Sequence, residues 1–472
     1  MSTSVRKPIA DNPEFPLPAS PKISSGRLVL GCLGVALLTI VAAVTIPWML
    51  SNRQAAARLN AAVKRVQARG EPLTSAELND FYQLAKGRPD MTKELMAALA
   101  ICEAAGKNPV APSLPIVGEG AEPPPRGQAW GQLAEVEKYL AEQQEAIETF
   151  HEFARRDGTA RFPVDFNPGI ATLLPETQRT RGGSRALSLQ FQVHRHKGEL
   201  AEAIDCIIAQ IALASALEQE PTIVSQLVRI AVINVAISEA QQLMKESQVP
   251  DADLQRLQAQ LRKIDSKSGL KQALVGERVM SYTACLDPKQ MAGINGPNQG
   301  LAEEFMQRQP KRLSDAAKML ELNLQISEGA DESLFKARQE ALAADKDIRT
   351  IAGSLMGRVY YMYTLLLTPA YVQAVTAFSR NAAETGSADA AIAAELYRRK
   401  NGKWPAKLDD LVPEFLPAVP TDPFTNLPLV MKTTAESCKV YSVGQDGTDN
   451  GGNLANDQKP GTDTGFEVTT PK

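Results

Sequence analysis

His151-Glu152 opens like the helical zinc motif His-Glu-x-x-His, in which two imidazoles one turn apart grip the metal. Position 155 is Arg, so the second imidazole is missing. His194 and His196 are two residues apart, which puts them on roughly opposite sides of a helix. These are expected to be solvated or capping histidines. Among Cys32, Cys102, Cys206, Cys285 and Cys438 there is no Cys-x-x-Cys. Cys102 and Cys206 lie in apolar helical stretches and read as buried free thiols; one or two disulfides are the alternative for a body outside the cytoplasm. The sequence carries no glycine-rich phosphate loop, Gly-x-Ser-x-Gly elbow or kinase signature. "GERVMSY", residues 276–282, places Glu277 and Arg278 near Tyr282 on one helix, where a salt-bridged surface is expected. No catalytic residue is predicted. The densest polar stretch is "KVYSVGQDGTDNGGN", residues 439–453, where Asp446, Asp449 and Asn450 sit among four glycines.

The elements that carry these residues are mostly helical in pattern. The 472-residue chain is 44% hydrophobic and 22% charged, which are globular values, and only 5% aromatic, which favours helices over sheets. A net charge of −3 gives no electrostatic reason to expect nucleic acid as a partner. Leu28 to Leu50, "LVLGCLGVALLTIVAAVTIPWML", has no charged residue and is long enough to cross a bilayer. It exceeds a signal-peptide h-region, and the nearest Ala-x-Ala, at Ala55 to Ala57, lies past Arg53 in a helical stretch, so a retained transmembrane helix is predicted. Basic residues flank both ends in near balance and leave the orientation open. The tail 1–27, with five prolines, reads as disordered.

Beyond the span, residues 51–106 read as membrane-proximal helices. One stops at Gly70, a second starts at the capping-box pair Thr74/Glu77 and runs to Leu84, and a third ends at Gly106. Residues 107–130 are a Pro/Gly linker. A helical body follows over 131–385. One helix is predicted from Leu133 to Asp157-Gly158, then an irregular segment, 159–183, draped over a core by Phe162, Val164, Phe166, Leu173 and Leu174. "KGELAEAID", 197–205, marks a helical hairpin and resembles the turn of a tetratricopeptide (TPR) repeat. The apolar stretch beginning at Thr222 is interrupted by Gln226 and Arg229, so a buried central helix is expected rather than a second crossing. Further helices are predicted over 251–264, 268–284, 313–327, 331–345 and 347–367, with a break at "DPKQMAGINGPNQG".

From residue 386 the texture changes. A helix ends at Asn401-Gly402, prolines then punctuate the chain to Pro428, and "LPLVMK" and "CKVYSVG" read as two antiparallel strands. Glu395-Leu396-Tyr397, Asn401-Gly402, Trp404-Pro405, the run Leu416 to Pro423, Tyr441-Ser442 and Gly444-Gln445-Asp446-Gly447 together resemble the globular domain of the major pseudopilin of type II secretion systems. Gly31 stands where that family carries its early Glu, so the resemblance is confined to this C-terminal part. It implies a small α+β module over 386–472 and calcium at the terminal loop, with Asp446, Asp449 and Asn450 as ligands and Asp457 or Asp463 closing the site. Hard oxygens on a glycine-bent backbone suit a cation that wants six to eight of them. The composite resembles uncharacterised bacterial single-pass membrane proteins.

The expected object is mainly α: an N-terminal transmembrane helix, a helical body with a TPR-like hairpin, and a small pseudopilin-like module. Calcium at the tail favours an extracytoplasmic (periplasmic) body. The expected role is structural, an interaction protein with protein partners. The alternatives are a type II secretion component, or an enzyme with its site between the body and the 159–183 loop.

Overall fold

A computed structural model of the chain describes residues 25–287, 311–368, 371–454 and 461–470. All but the first residue of the break expected at 287–300, residue Asp457 and nearly all of the tail 1–27 fall outside them. The chain divides into two compact units, 1–54 and 55–472. Helix α1 (Ser25–Ala68) runs through the apolar segment, with Pro47 inside it. In the first unit the large apolar side chains that are described are exposed, Leu38 to 69% and Leu50 to 59%.

Local signals explain the second unit's first elements. Gly70 takes a left-handed φ of 66° just past α1. The Thr74 hydroxyl accepts from the Glu77 N–H at 3.2 Å and the Glu77 carboxylate accepts from the Thr74 N–H at 3.1 Å, so the capping box starts α2 (Ser75–Phe81). Next come α3 (Thr92–Ala105), α4 (Leu133–Ala141) and α5 (Gln144–Arg155). The last two replace the single helix expected from Leu133. Residues 107–130 are not a free spacer, since Ala111, Leu114 and Trp130 are buried in one cluster with Leu99 and Phe150.

Phe162, Val164 and Phe166 are buried, as draping requires, whereas Leu173 is 81% exposed. The irregular segment also ends earlier than expected, because α6 (Pro175–Lys197) begins within it. Gly183 is therefore helical. A Cβ there would lie 2.9 Å from Phe150 and 3.1 Å from Leu99 and Leu213, so this glycine lets α6 press on α3, α5 and α7 (Leu200–Ser215). The predicted hairpin forms at Gly198, φ 78°, where the Glu199 N–H donates to the His194 carbonyl at 2.9 Å.

The remaining helices are α8 (Ile223–Glu246), α9 (Asp251–Leu261), α10 (Ser266–Leu286), α11 (Arg312–Glu332), α12 (Leu334–Ala352), α13 (Leu355–Tyr360), α14 (Met362–Leu367) and α15 (Tyr371–Asn401). By length and composition α8 is long and apolar enough to cross a membrane, but most of it is buried in the fold. The first turn of α14 is satisfied from another helix: the buried Asp315 carboxylate accepts from the Tyr363 and Thr364 N–H groups at 2.8 and 2.9 Å. Cys102, Cys206, Cys285 and Cys438 are buried and free of disulfides.

Three strands close the chain as one antiparallel sheet in the order β1 (Val430–Thr433), β2 (Ser437–Ser442), β3 (Thr464–Thr469). The third was not predicted. It pairs with β2 through Cys438↔Val468 and Val440↔Phe466. The expected boundary at 385/386 falls inside α15, and one core cluster joins Ile207 and Ile237 to Ile392, Leu416, Val440 and Phe466. Body and sheet share their burial, so the tail is not a separate cap.

The interior holds charges. Arg278, expected on a salt-bridged surface, is 1% exposed and pairs with Glu71 at 2.7 Å. Glu239 on α8 is 5% exposed and accepts hydrogen bonds from Ser188 and Gln210. Burial pushes its carboxyl up to about 7. Between pH 4.5 and 7 the native carboxyl keeps a proton that the unfolded chain releases, so stability falls as pH rises through that window. The expected result is that melting temperature drops from pH 5.5 to 7.5 in the parent chain and drops less in Glu239→Gln. Equal slopes in thermal melts of the two proteins would count against this assignment.

Candidate functional site

After β2 the chain turns through Gly444, Gly447, Gly451 and Gly452, all at φ between 68° and 80°, a region that side-chain-bearing residues resist. That conformation answers why the stretch is glycine-rich. Two buried carboxylates hold the turn in place. Asp422 accepts from the Phe424 N–H at 2.7 Å, the Ser442 hydroxyl at 2.8 Å and the Val443 N–H at 3.1 Å. Asp463 accepts from the N–H groups of Asn450, Gly452 and Asn453 at 3.2, 2.8 and 3.2 Å.

The predicted ligands divide between two places. The Asp446 carboxylate accepts from the Thr448 N–H at 3.0 Å, the Gly461 N–H at 3.2 Å and the Asn450 amide at 3.3 Å. These bonds, led by the Thr448 N–H, hold it below the usual carboxylate range. Asp449 instead joins the sheet, accepting from the Gly451 N–H at 2.8 Å, the Tyr441 hydroxyl at 2.8 Å and the Lys432 ammonium at 3.0 Å. The ammonium already neutralises Asp449, so a second cation there would meet repulsion. Asp446 and Asn450, with loop carbonyls, suit a hard cation; Asp449 does not join them. Among the described residues no three His, Cys, Asp or Glu side chains converge on a metal position.

Asp446 and Asp463 also line a cleft of about 760 Å³, within the range of ligand pockets. The other walls come from α8, with Asn234, Ser238 and Gln241, from α12, with Arg338, and from α15, with Arg380 and Glu384. Residues 159–183 take no part in it. Arg338 donates from Nη2 to the Gln445 carbonyl at 2.9 Å and stacks 5.4 Å from the Phe424 ring centre. Its Nε is buried without a hydrogen-bond partner among the described residues, as is one carboxylate oxygen of Glu384. Burial raises Glu384 to about 7, with Arg380 pulling the other way.

The amides of α8 are turned by their neighbours. The Gln241 oxygen accepts from the Glu467 N–H at 2.9 Å, and the Asn234 oxygen accepts from the Asn381 amide at 2.8 Å. What these side chains have left to offer is NH₂. Sequence reasoning missed Arg338, Arg380 and Glu384, which stand in ordinary helical text. Their one faint signal is that Arg380 and Glu384 are four apart among the buried positions Phe378, Asn381 and Ala383. No family model, curated protein or solved structure matches the chain, so the pseudopilin resemblance rests on the quoted residues alone.

Proposed function

We propose that the chain is a single-pass, membrane-anchored interaction protein whose body lies in the periplasm and whose working face is the cleft. The observation that carries the anchor is α1, which is helical across the uncharged Leu28–Leu50 and leaves Leu38, Val41, Ile46, Met49 and Leu50 exposed. Such a surface is stable in lipid and costly in water. The test compares protease digestion of intact cells with that of spheroplasts, alongside alkaline extraction of membranes. The body is expected to be digested only in spheroplasts and to stay in the membrane pellet. Release by alkali removes the anchor, and protection in both preparations reverses the orientation.

Calcium at the terminal loop belongs to the same reading, with Asp446 and Asn450 as its side-chain ligands and a supply outside the cytoplasm. Calcium at ten times its dissociation constant stabilises by about 1.4 kcal/mol. Millimolar calcium should therefore raise the melting temperature of the parent chain by about 1–2 °C, and that of Asp446→Ala not at all. An unchanged melt in the parent chain rules the ion out. A type II secretion component is the second reading, supported by Asp422 of the Leu416–Pro423 run meeting Ser442 of Tyr441-Ser442. Copurification with secretion machinery tests it.

A further inference from the structure

The cleft holds charges of both signs, but they are not equally satisfied. Asp463 has three backbone donors and Asp446 two, together with the Asn450 amide. The guanidiniums are the reverse. Among the described residues Arg380 makes no hydrogen bond or ion pair, though its charge acts on Glu384, and the Nε of Arg338 is buried with no hydrogen-bond partner. Asn234 and Gln241 present NH₂ because their oxygens are taken. Glu384 is the exception, with one buried carboxylate oxygen unpartnered. Against it stand Arg380, the Arg338 Nε and two amides, so unmet capacity is mostly donor capacity and a ligand supplies acceptors.

Two further features narrow the ligand. Asn234, Ser238 and Gln241 repeat along one face of α8 over a rise of about 10 Å, so donors are offered along a line rather than at a point. Val235, 42% exposed, adds an apolar contact beside them. A multiply charged phosphate would sit close to Asp446 and Asp463, whereas a singly charged carboxylate meets less repulsion and still fits the planar arginine fork. We propose that the cleft binds an elongated, acceptor-rich carboxylate with the chemistry of a sugar acid. Its carboxylate pairs with Arg380 and Arg338, and its hydroxyl and ring oxygens accept from Asn234 and Gln241.

This assignment rests on the cleft being the working face, but not on the membrane topology. The test is isothermal titration of the full chain in detergent with lactobionate (an elongated sugar acid with one carboxylate), the neutral disaccharide lactose and inorganic phosphate as separate probes. Lactobionate is expected to bind saturably and the other two not to bind at the same concentration. Arg380→Ala should weaken binding at least tenfold with the fold retained and at most a small drop in melting temperature from the lost charge beside Glu384, since Arg380 makes no hydrogen bond or ion pair within the described fold, and Arg380→Lys should recover part of the binding. Arg338→Ala is the weaker probe, because its loss also frees Gln445. The proposal is overturned if lactobionate does not bind, if lactose or phosphate binds as well, or if Arg380→Ala leaves the affinity unchanged. Failure of the anchoring reading shows instead in the protease experiment and leaves these titrations as they are.

Discussion

Gly276→Ala is expected to abolish stable folding, with a loss of about 4 kcal/mol or more, at the exceptional end for a single substitution. Gly276 lies in α10 where that helix crosses the connection between α7 and α8. A Cβ added there would stand 1.5 Å from the Pro221 carbonyl oxygen and 2.6 Å from its carbon. Both are backbone atoms, so no rotamer relieves the clash. The connection cannot simply move away. Next to it, the fully buried Glu220 accepts from Thr177 at 2.8 Å and from Ser225, and Thr222 caps α8 through the Ser225 N–H at 3.0 Å. Gly182→Ala in α6 is the matched control, because the nearest atom to its new Cβ would be 4.0 Å away. Relief of helical glycine there should stabilise by about 0.5–1 kcal/mol. Urea midpoints measure both. A Gly276→Ala protein with the parent midpoint would show that α10 does not press on this connection.

Glu71→Leu should cost about 3–5 kcal/mol, the range for removing one partner of a buried ion pair. The Arg278 side chain has no exposed surface, and its carboxylate partner is Glu71, with the Asn323 oxygen at 3.3 Å as a neutral neighbour. Burial pulls the guanidinium's pKa down and Glu71 pushes it back up. Without Glu71 the cation stays buried and uncompensated. Arg69 is less affected, since it keeps Asp331 at 2.6 Å. The double variant Glu71→Leu/Arg278→Met removes both charges at similar volume and should regain most of the loss. Denaturant titration of the three variants closes the cycle. A double variant no more stable than Glu71→Leu alone would mean that these two residues do not act as a unit.

Arg278 also shows where sequence reading stops. "GERVMSY" looks the same whether the helix face carrying Arg278 meets water or another helix. Only the arrival of Glu71, more than two hundred residues earlier in the chain, makes it interior. Gly182-Gly183 is the same case from the other side. Paired glycines read as a break, yet the close approach of Phe150 and Leu213 makes Gly183 a contact point within a helix. Strand β3 was missed because its partner lies across a long loop, and the 386 boundary failed because α15 belongs at once to the helical core and to the sheet.

By itself the sequence determined what depends on near neighbours: the capping box at Thr74/Glu77, the turn at Gly198, the apolar stretch of α8 interrupted by Gln226 and Arg229, the glycine-rich loop after β2 and an uncharged stretch of bilayer length. Each follows from backbone sterics or from side chains within a few residues. Tertiary structure alone decided which charges are buried, which glycines are spacers, that the tail shares the body's core, and that Arg338, Arg380 and Glu384 meet Asp446 around one cleft. Those outcomes depend on distant segments meeting, and a local pattern carries no record of its remote neighbour.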